Sequence, residues 1–271
     1  MTKTNQWGAL AAAAGTLVAV GLLVLIMVVV EAGPAEATFP GKPAKIAYQG
    51  SDGQDAELYT IKSGGGGKKQ LTDNGTGDYE PSYSPSGKQI VYSSRDAPNG
   101  DYELYTINAG GGGKKQLTDN STADFEPSYS PSGKKIVYAG EDGANGDFEI
   151  YTINSGGGSK FNVTDNGADD YYSSYSPSGK KIAYQGEDGA NGDYEVYTIN
   201  AGGGSKFNVT DNSTDDGGGL SYSPSGKKIV YSGRDAPNGD YEIYTINPSG
   251  GSKFRVTDNN TGDYTPSWGS S

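Results

Sequence analysis

The chain has 271 residues, is 33% hydrophobic, and carries 44 Gly and 21 Tyr but no Cys and no His. Those two absences exclude disulfides, thiolate nucleophiles, His-ligated zinc and any Ser-His-Asp triad, and they leave the redox compartment unmarked. With 33 acidic against 21 basic residues and a formal net charge of −12, no nucleic-acid partner is expected.

The run from Trp7 to Val30 contains no charged residue. As a helix it would span roughly 36 Å, enough to cross a bilayer core. Lys3 precedes it while Glu31 and Glu36 follow, which places the bulk of the chain outside the membrane. Ala35-Glu36-Ala37 offers small residues at signal-peptidase spacing, with Thr38 as the mature start. Residues 1–37 are thus expected to be a signal peptide or a membrane anchor, with cleavage favoured. Membrane contact is expected through residues 7–30 alone, and residues 38–271 would then lie outside the cytoplasm.

Beyond the leader the chain repeats itself. Lys-Ile-(Val/Ala)-Tyr places its Ile at 46, 90, 136, 182 and 229, and Ser-Tyr-Ser-Pro-Ser-Gly places its Tyr at 83, 129, 175 and 222, with Trp268 where a fifth would fall. Each unit reads as four strands: a at the Tyr marker, b at Lys-Ile-Val-Tyr, c at Glu-Ile-Tyr-Thr-Ile-Asn, and d at Lys-Phe-Asn-Val-Thr or Lys-Gln-Leu-Thr. Strand c is apolar on both faces, Ile150 pointing one way and Tyr151 and Ile153 the other. Both faces are therefore covered, as in stacked blades. The first unit lacks strand a and the last marker supplies a lone one. This reads as an all-β, five-bladed β-propeller of four-stranded antiparallel blades, preceded by an N-terminal hydrophobic helix. Trp268 is expected to close the ring on the first blade, unless Phe39 takes that place.

The pattern Leu71-Thr-Asp-Asn…Asp78-Tyr-Glu-Pro-Ser-Tyr-Ser-Pro-Ser-Gly-Lys-Gln-Ile-Val-Tyr92, followed by Glu103-Leu-Tyr-Thr-Ile-Asn108, resembles the TolB-like propeller repeat. The resemblance covers residues 45 to 268. It implies the propeller fold; these repeats serve many roles, so it implies less about function. The chain has Tyr and Ser-Gly where the family usually has Trp and Asp-Gly. TolB itself adds an amino-terminal domain and a sixth blade. In the fourth marker, Gly217-Gly-Gly-Leu220 stands in place of Asp-Tyr-Glu-Pro.

Antiparallel strands send the b–c and d–a loops to one end of the ring and the a–b and c–d turns to the other. Every acid except Glu31 and Glu36 then sorts to the first end, whereas only Arg95 and Arg234 among the basic residues after Lys3 do. Asp78, Asp101, Asp124, Asp147, Asp170, Asp193, Asp240 and Asp263 are accordingly the expected partner face, for a protein partner of basic character. The b–c loops repeat Asp-x-x-Asn-Gly-Asp-x-Glu, with Asp96/Asp101, Asp142/Asp147, Asp188/Asp193 and Asp235/Asp240. Hard oxygen ligands at short spacing suit calcium; Asn-Gly-Asp is also ordinary hairpin chemistry. Gly runs followed by Lys lack the phosphate-loop ending and read as c–d turns.

No catalytic residue is expected, because near-identical repeats give every acid several equivalents and single none out. The expectation is a non-enzymatic, exported protein-binding or scaffold module. A multivalent glycan-binding propeller and a propeller glycosidase are the alternatives.

Overall fold

The computed structural model describes residues 45–268, apart from 52, 96–99, 142–145, 188–191 and 235–238. The leader, Phe39, and Asp96, Asp142, Asp188 and Asp235 lie outside the described residues. Among the described residues no helix is long and apolar enough to cross a membrane.

The protein is an all-β, five-bladed propeller of antiparallel blades. The first blade contributes β1 (Lys45–Ser51), β2 (Ala56–Lys62) and β3 (Lys69–Gln70). The second contains β4 (Asp78–Tyr83), β5 (Gln89–Ser94), β6 (Glu103–Asn108) and β7 (Lys115–Gln116). The third runs β8 (Asp124–Tyr129), β9 (Lys135–Gly140), β10 (Glu149–Asn154) and β11 (Phe161–Asn162). The fourth runs β12 (Asp170–Tyr175), β13 (Lys181–Gly186), β14 (Glu195–Asn200) and β15 (Phe207–Asn208). The fifth runs β16 (Asp216–Tyr222), β17 (Ile229–Gly233), β18 (Glu242–Ile246) and β19 (Phe254–Arg255). Each blade pairs its strands in chain order. The outer strands are shorter than the repeat suggests, with two residues apiece, because the chain leaves the ladder once its apolar residue has turned inward.

The turns follow from their residues. In Asn154-Ser-Gly-Gly-Gly158 the N–H of Gly157 donates to Asn154 O at 2.8 Å and that of Asn154 to Gly158 O at 3.0 Å. Gly157 and Gly158 adopt φ of +89° and +79° there, a region that glycine enters without steric cost. The Gly runs are thus c–d turns.

Strand c, apolar on both faces, binds blade to blade. Val137, Ile150 and Val163 of the third blade pack on Tyr175, Ile182, Tyr184, Tyr197 and Ile199 of the fourth. The same arrangement recurs at the three other junctions between consecutive blades. Tyr92, Tyr138, Tyr184 and Tyr231 are completely buried, each against the Tyr opposite on strand c, with ring centroids 5.6–5.8 Å apart.

The expected closure by Trp268 is not made. Residues 263–268 follow the path of an inner strand: Asp263 N–H donates to Tyr241 O at 2.7 Å, and a Cβ on Gly219 would come within 2.3 Å of Thr265 Cα. Among the described residues, the segment packs beside the fifth blade but forms no ladder with β1, whose sheet is three-stranded. The two end faces consequently lack cover. Val256 is 52% exposed, whereas Val163 and Val209 at the same repeat position are 4% exposed; Ile46 is 50% exposed, whereas Ile136 and Ile182 are fully buried.

This contrast gives a direct test. Val163→Ala should destabilise the protein by about 2 kcal/mol through lost burial and a residual cavity, and Val256→Ala by less than about 0.5 kcal/mol. Chemical denaturation of the two variants measures this, and equal losses would show that the fifth junction closes in solution.

Candidate functional site

The acids of the repeat are placed by strand register. Asp170 lies opposite Gly186, which lies opposite Glu195, so inner-strand Asp and strand-c Glu share one end of the blade. Both are tied inward. Asn166 links Asp170 to Glu149 of the preceding blade: its N–H donates to Glu149 Oε1, its Nδ2 donates to Asp170 Oδ2 at 2.7 Å, and its Oδ1 accepts from Ala168 N–H at 2.8 Å. The same Glu–Asn–Asp link joins Glu103, Asn120 and Asp124, Glu195, Asn212 and Asp216, and Glu242, Asn259 and Asp263.

That network corrects the expected partner face. Asp78, Asp124 and Asp170 are fully buried and Asp193 is nearly so, while Asp101, Asp147, Asp240 and Asp263 are half-buried. Of these, Asp78, Asp124, Asp170 and Asp263 accept from the bridging Asn and so hold the blade's loops instead of facing a partner. Among the described residues, the Thr-Asp-Asn motif instead exposes one acid per repeat, Asp73, Asp119, Asp165, Asp211 and Asp258. Among the described residues no three acidic side chains converge as a metal-ligand set.

Loop-by-loop sorting also overstates the separation of charge. Lys114, Lys160 and Lys206 start from c–d turns, yet their ammonium groups lie 4.4–4.5 Å above the rings of Tyr105, Tyr151 and Tyr197. Lys253 Nζ reaches Asp216 Oδ2 at 3.6 Å. Burial outweighs this attraction in both kinds of partner. It pushes Asp124 and Asp170 up to about 7 and Asp216 to about 6, against the lowering by Lys160, Lys206 and Lys253. It likewise lowers Lys160 and Lys206.

Near the ring axis each inner strand carries a bulge whose residue has positive φ: Glu80, Glu126, Tyr172, Gly219 and Thr265. These residues form a relay between blades. Gln49 Oε1 accepts from Glu80 N–H at 2.9 Å, Glu80 Oε2 from Glu126 N–H at 2.6 Å, and Glu126 Oε2 from Tyr172 N–H at 2.7 Å. Desolvation among its neighbours holds Glu126 at about 8, although the side chain is only half-buried.

One residue before each bulge stands an aromatic ring, paired with another from the b–c loop. Tyr79 meets Tyr102, Phe125 meets Phe148, Tyr171 meets Tyr194, and Tyr264 meets Tyr241, at centroid separations of 4.9–6.4 Å. The fifth blade breaks the band. Gly218 pairs with Ser232 as Tyr79 pairs with Ser93, while Asp216 keeps the place of Asp78. Gly217 is therefore an inserted residue, and the marker's Asp is present at 216 and not replaced. What is lost are the ring and carboxylate, replaced by Gly218 and Gly219. The gap opens a cavity of about 570 Å³ whose lining includes Phe125, Glu126, Tyr171, Gln185, Tyr194, Asp215, Tyr241 and Tyr264. The glycines are visible in the sequence but this cavity is not, because its rings come from inner strands and b–c loops of different blades.

A family model described as the TolB beta propeller domain matches residues 96–271. Among solved structures, TolB from Acinetobacter baumannii superposes with a TM-score of 0.63 at 26% identity, covering 76% of this chain and 49% of that one. The chain thus spans about half the length of that relative. A putative TolB from Agrobacterium tumefaciens gives a TM-score of 0.64 at 20% identity, covering 79% and 80% of the two chains. Oligogalacturonate lyase from Vibrio parahaemolyticus shares the fold alone, at 14% identity and a TM-score of 0.53, with 78% and 74% covered. No curated protein matches.

The buried carboxyls predict a pH dependence of stability. Asp124, Asp170, Asp216 and Glu126 sit between about 6 and 8 in the folded chain, above the ordinary carboxylate value near 4. Folding therefore takes up protons. The stability these groups contribute is complete below about pH 4 and is lost as pH rises through about 6 to 8. The melting temperature should fall by about 3 °C or more between pH 5 and pH 8.5, the shift that ~1 kcal/mol produces at this size. Asp124→Asn with Asp170→Asn should flatten that slope. A melting temperature that rises over this range would contradict the assignment.

Proposed function

Because the chain belongs to the TolB beta propeller family, we propose that it is an exported, non-enzymatic protein-binding scaffold whose acidic end receives a basic segment of a partner protein. The observation that carries this reading is the cavity at Gly218, walled by aromatic rings and flanked by Glu126 and Asp215. Aromatic walls supply contact area at low entropic cost, and the Asp215 carboxylate at the edge of the cavity favours positive charge. The net charge of −12 and the exposed Asp73, Asp119, Asp165, Asp211 and Asp258 extend the field around it. A non-enzymatic role is favoured because Asp124, Asp170 and Asp216 share the same Asn partner in three blades, so none is set apart as a general acid or base.

A glycan-binding reading is favoured by one specific feature, the ring faces of Tyr171, Tyr194 and Tyr241 open to the cavity. Selection from a displayed peptide library on the immobilised full chain separates the two. Binders enriched in Lys and Arg, weakened about tenfold by Tyr194→Ala with Tyr241→Ala and by raised salt, are the expected result. Retention of neutral oligosaccharides by the same surface, without enrichment of basic peptides, would replace the scaffold reading with the glycan one. Export is checked separately by mass spectrometry of the native protein, which should begin at Thr38 in the extracytoplasmic fraction; an intact Met1 or Thr2 terminus in the membrane fraction would establish the anchor instead.

A further inference from the structure

The aromatic band at the acidic end is continuous except in one place. Phe125, Phe148, Tyr171 and Tyr194 follow one another in contact, at 4.9, 5.2 and 6.4 Å between successive centroids. Tyr241 resumes the band with Tyr264 at 5.1 Å. No ring contact joins Tyr194 to Tyr241, because the residue between them in the band is Gly218.

A second feature lies beneath the gap. Gln185 is only 8% exposed, and its Oε1 is buried with no hydrogen-bond donor. In the first blade the equivalent oxygen, that of Gln49, accepts from Glu80 N–H at 2.9 Å. The inserted Gly217, at φ +125°, covers Gln185 so closely that a Cβ there would stand 3.0 Å from its Cβ and Cγ. Gln185 is thus held in place by a residue the other blades lack. A buried acceptor without a donor is costly, so a ligand that donates to it gains that energy back on binding.

We infer that the gap between Tyr194 and Tyr241 is a binding slot for the guanidinium of an arginine side chain presented by a partner; this rests on the protein-binding reading above and specifies its ligand. The slot asks for a planar group with apolar faces, to stack between rings, and with edge donors, to reach Gln185 Oε1, the carboxyl oxygens of Glu126, and Asp215, whose carboxylate Arg234 already approaches at 3.6 Å. Guanidinium has that combination: it is flat, weakly hydrated, always charged, and carries five N–H donors and no acceptor. A lysine ammonium is compact, strongly hydrated and cannot stack, while an inserted aromatic ring would leave Gln185 without its donor. The same band already accepts guanidinium from within the chain. Arg95 lies over Tyr102 at 5.2 Å and Arg234 over Tyr241 at 5.4 Å.

The full chain can be titrated with the blocked tripeptides Gly-Arg-Gly, Gly-Lys-Gly, Gly-citrulline-Gly and Gly-Tyr-Gly, followed by tyrosine fluorescence and by calorimetry. The arginine peptide should bind at least tenfold more tightly than each of the others. Gly218→Tyr, which restores the ring found at Tyr79 and Tyr171, should abolish binding. Gln185→Ala should weaken it about tenfold and leaves a side chain the fold already tolerates at Ala139, so it serves if the first variant misfolds. Equal binding of the lysine peptide, tighter binding of the tyrosine peptide, or binding unchanged in both variants would each overturn the inference. No peptide bound, with basic library peptides still captured by the acidic end, would overturn the slot and leave the scaffold reading standing. Loss of that capture as well would remove both.

Discussion

A carboxylate pair bridged by one asparagine, at the same end of every full blade, is the contact on which the remaining architecture depends. Glu149, Asn166 and Asp170 show how it works. Glu opens strand c, Asp opens the next blade's inner strand, and Asn sits in the loop between them. The link therefore joins consecutive blades as well as consecutive strands. Fully buried carboxyls are expensive unless their lone pairs are used. The Asn supplies a donor to each carboxyl, while the second oxygen of Asp124, Asp170 and Asp216 stays buried without a donor, in keeping with the upward shift of these groups. Asn74 and Asn259 are bridging residues of the same kind.

The inter-blade contacts build on that frame. Each blade offers strand-c Ile, Val or Leu on one face and a stack of two Tyr on the other, and each junction joins the two unlike faces. Because the faces are complementary and not identical, the assembly has a direction, with a leading face at β1 and a trailing face at β19. Those ends are the places where apolar side chains such as Ile46 and Val256 meet solvent. The lysines of the c–d turns complete the stack from above, laying their stems along the Tyr rings while the ammonium groups approach the buried Asp.

The proposed binding site lies where the repetition fails. Four copies of one unit give four copies of any surface feature, and a feature present in every blade is explained by folding alone. The fifth blade alone inserts Gly217 and loses a ring and a carboxylate at Gly218 and Gly219. One-residue insertion restores Asp216 to its structural place, so the blade keeps its Glu–Asn–Asp bridge while its axial end is emptied. The fold tolerates this exchange because the bridge, and not the axial ring, holds the loop.

The periodic positions of Ile46, Ile90, Ile136, Ile182 and Ile229 were enough to read blade number, strand order and antiparallel pairing, since strand and turn chemistry are local and five repetitions average out the ambiguity of any one segment. Register puts inner-strand Asp170 and strand-c Glu195 at the same end of their blade. The burial of the acids was not legible: Asp124 and Asp119 are both acids of the same loop, and only packing makes the first interior and the second exposed. Nor could spacing show that Lys160 turns back over Tyr151, because a side chain four carbons long can leave the end its backbone occupies. The aromatic cavity required the tertiary structure for the same reason. Tyr194, Gly218 and Tyr241 are separated along the chain and belong to two blades, and their approach is set by the stacking of those blades about the axis. Local pattern determined the units of this protein; the contacts between units decided which of its repeated residues are buried, which are exposed, and where a ligand could enter.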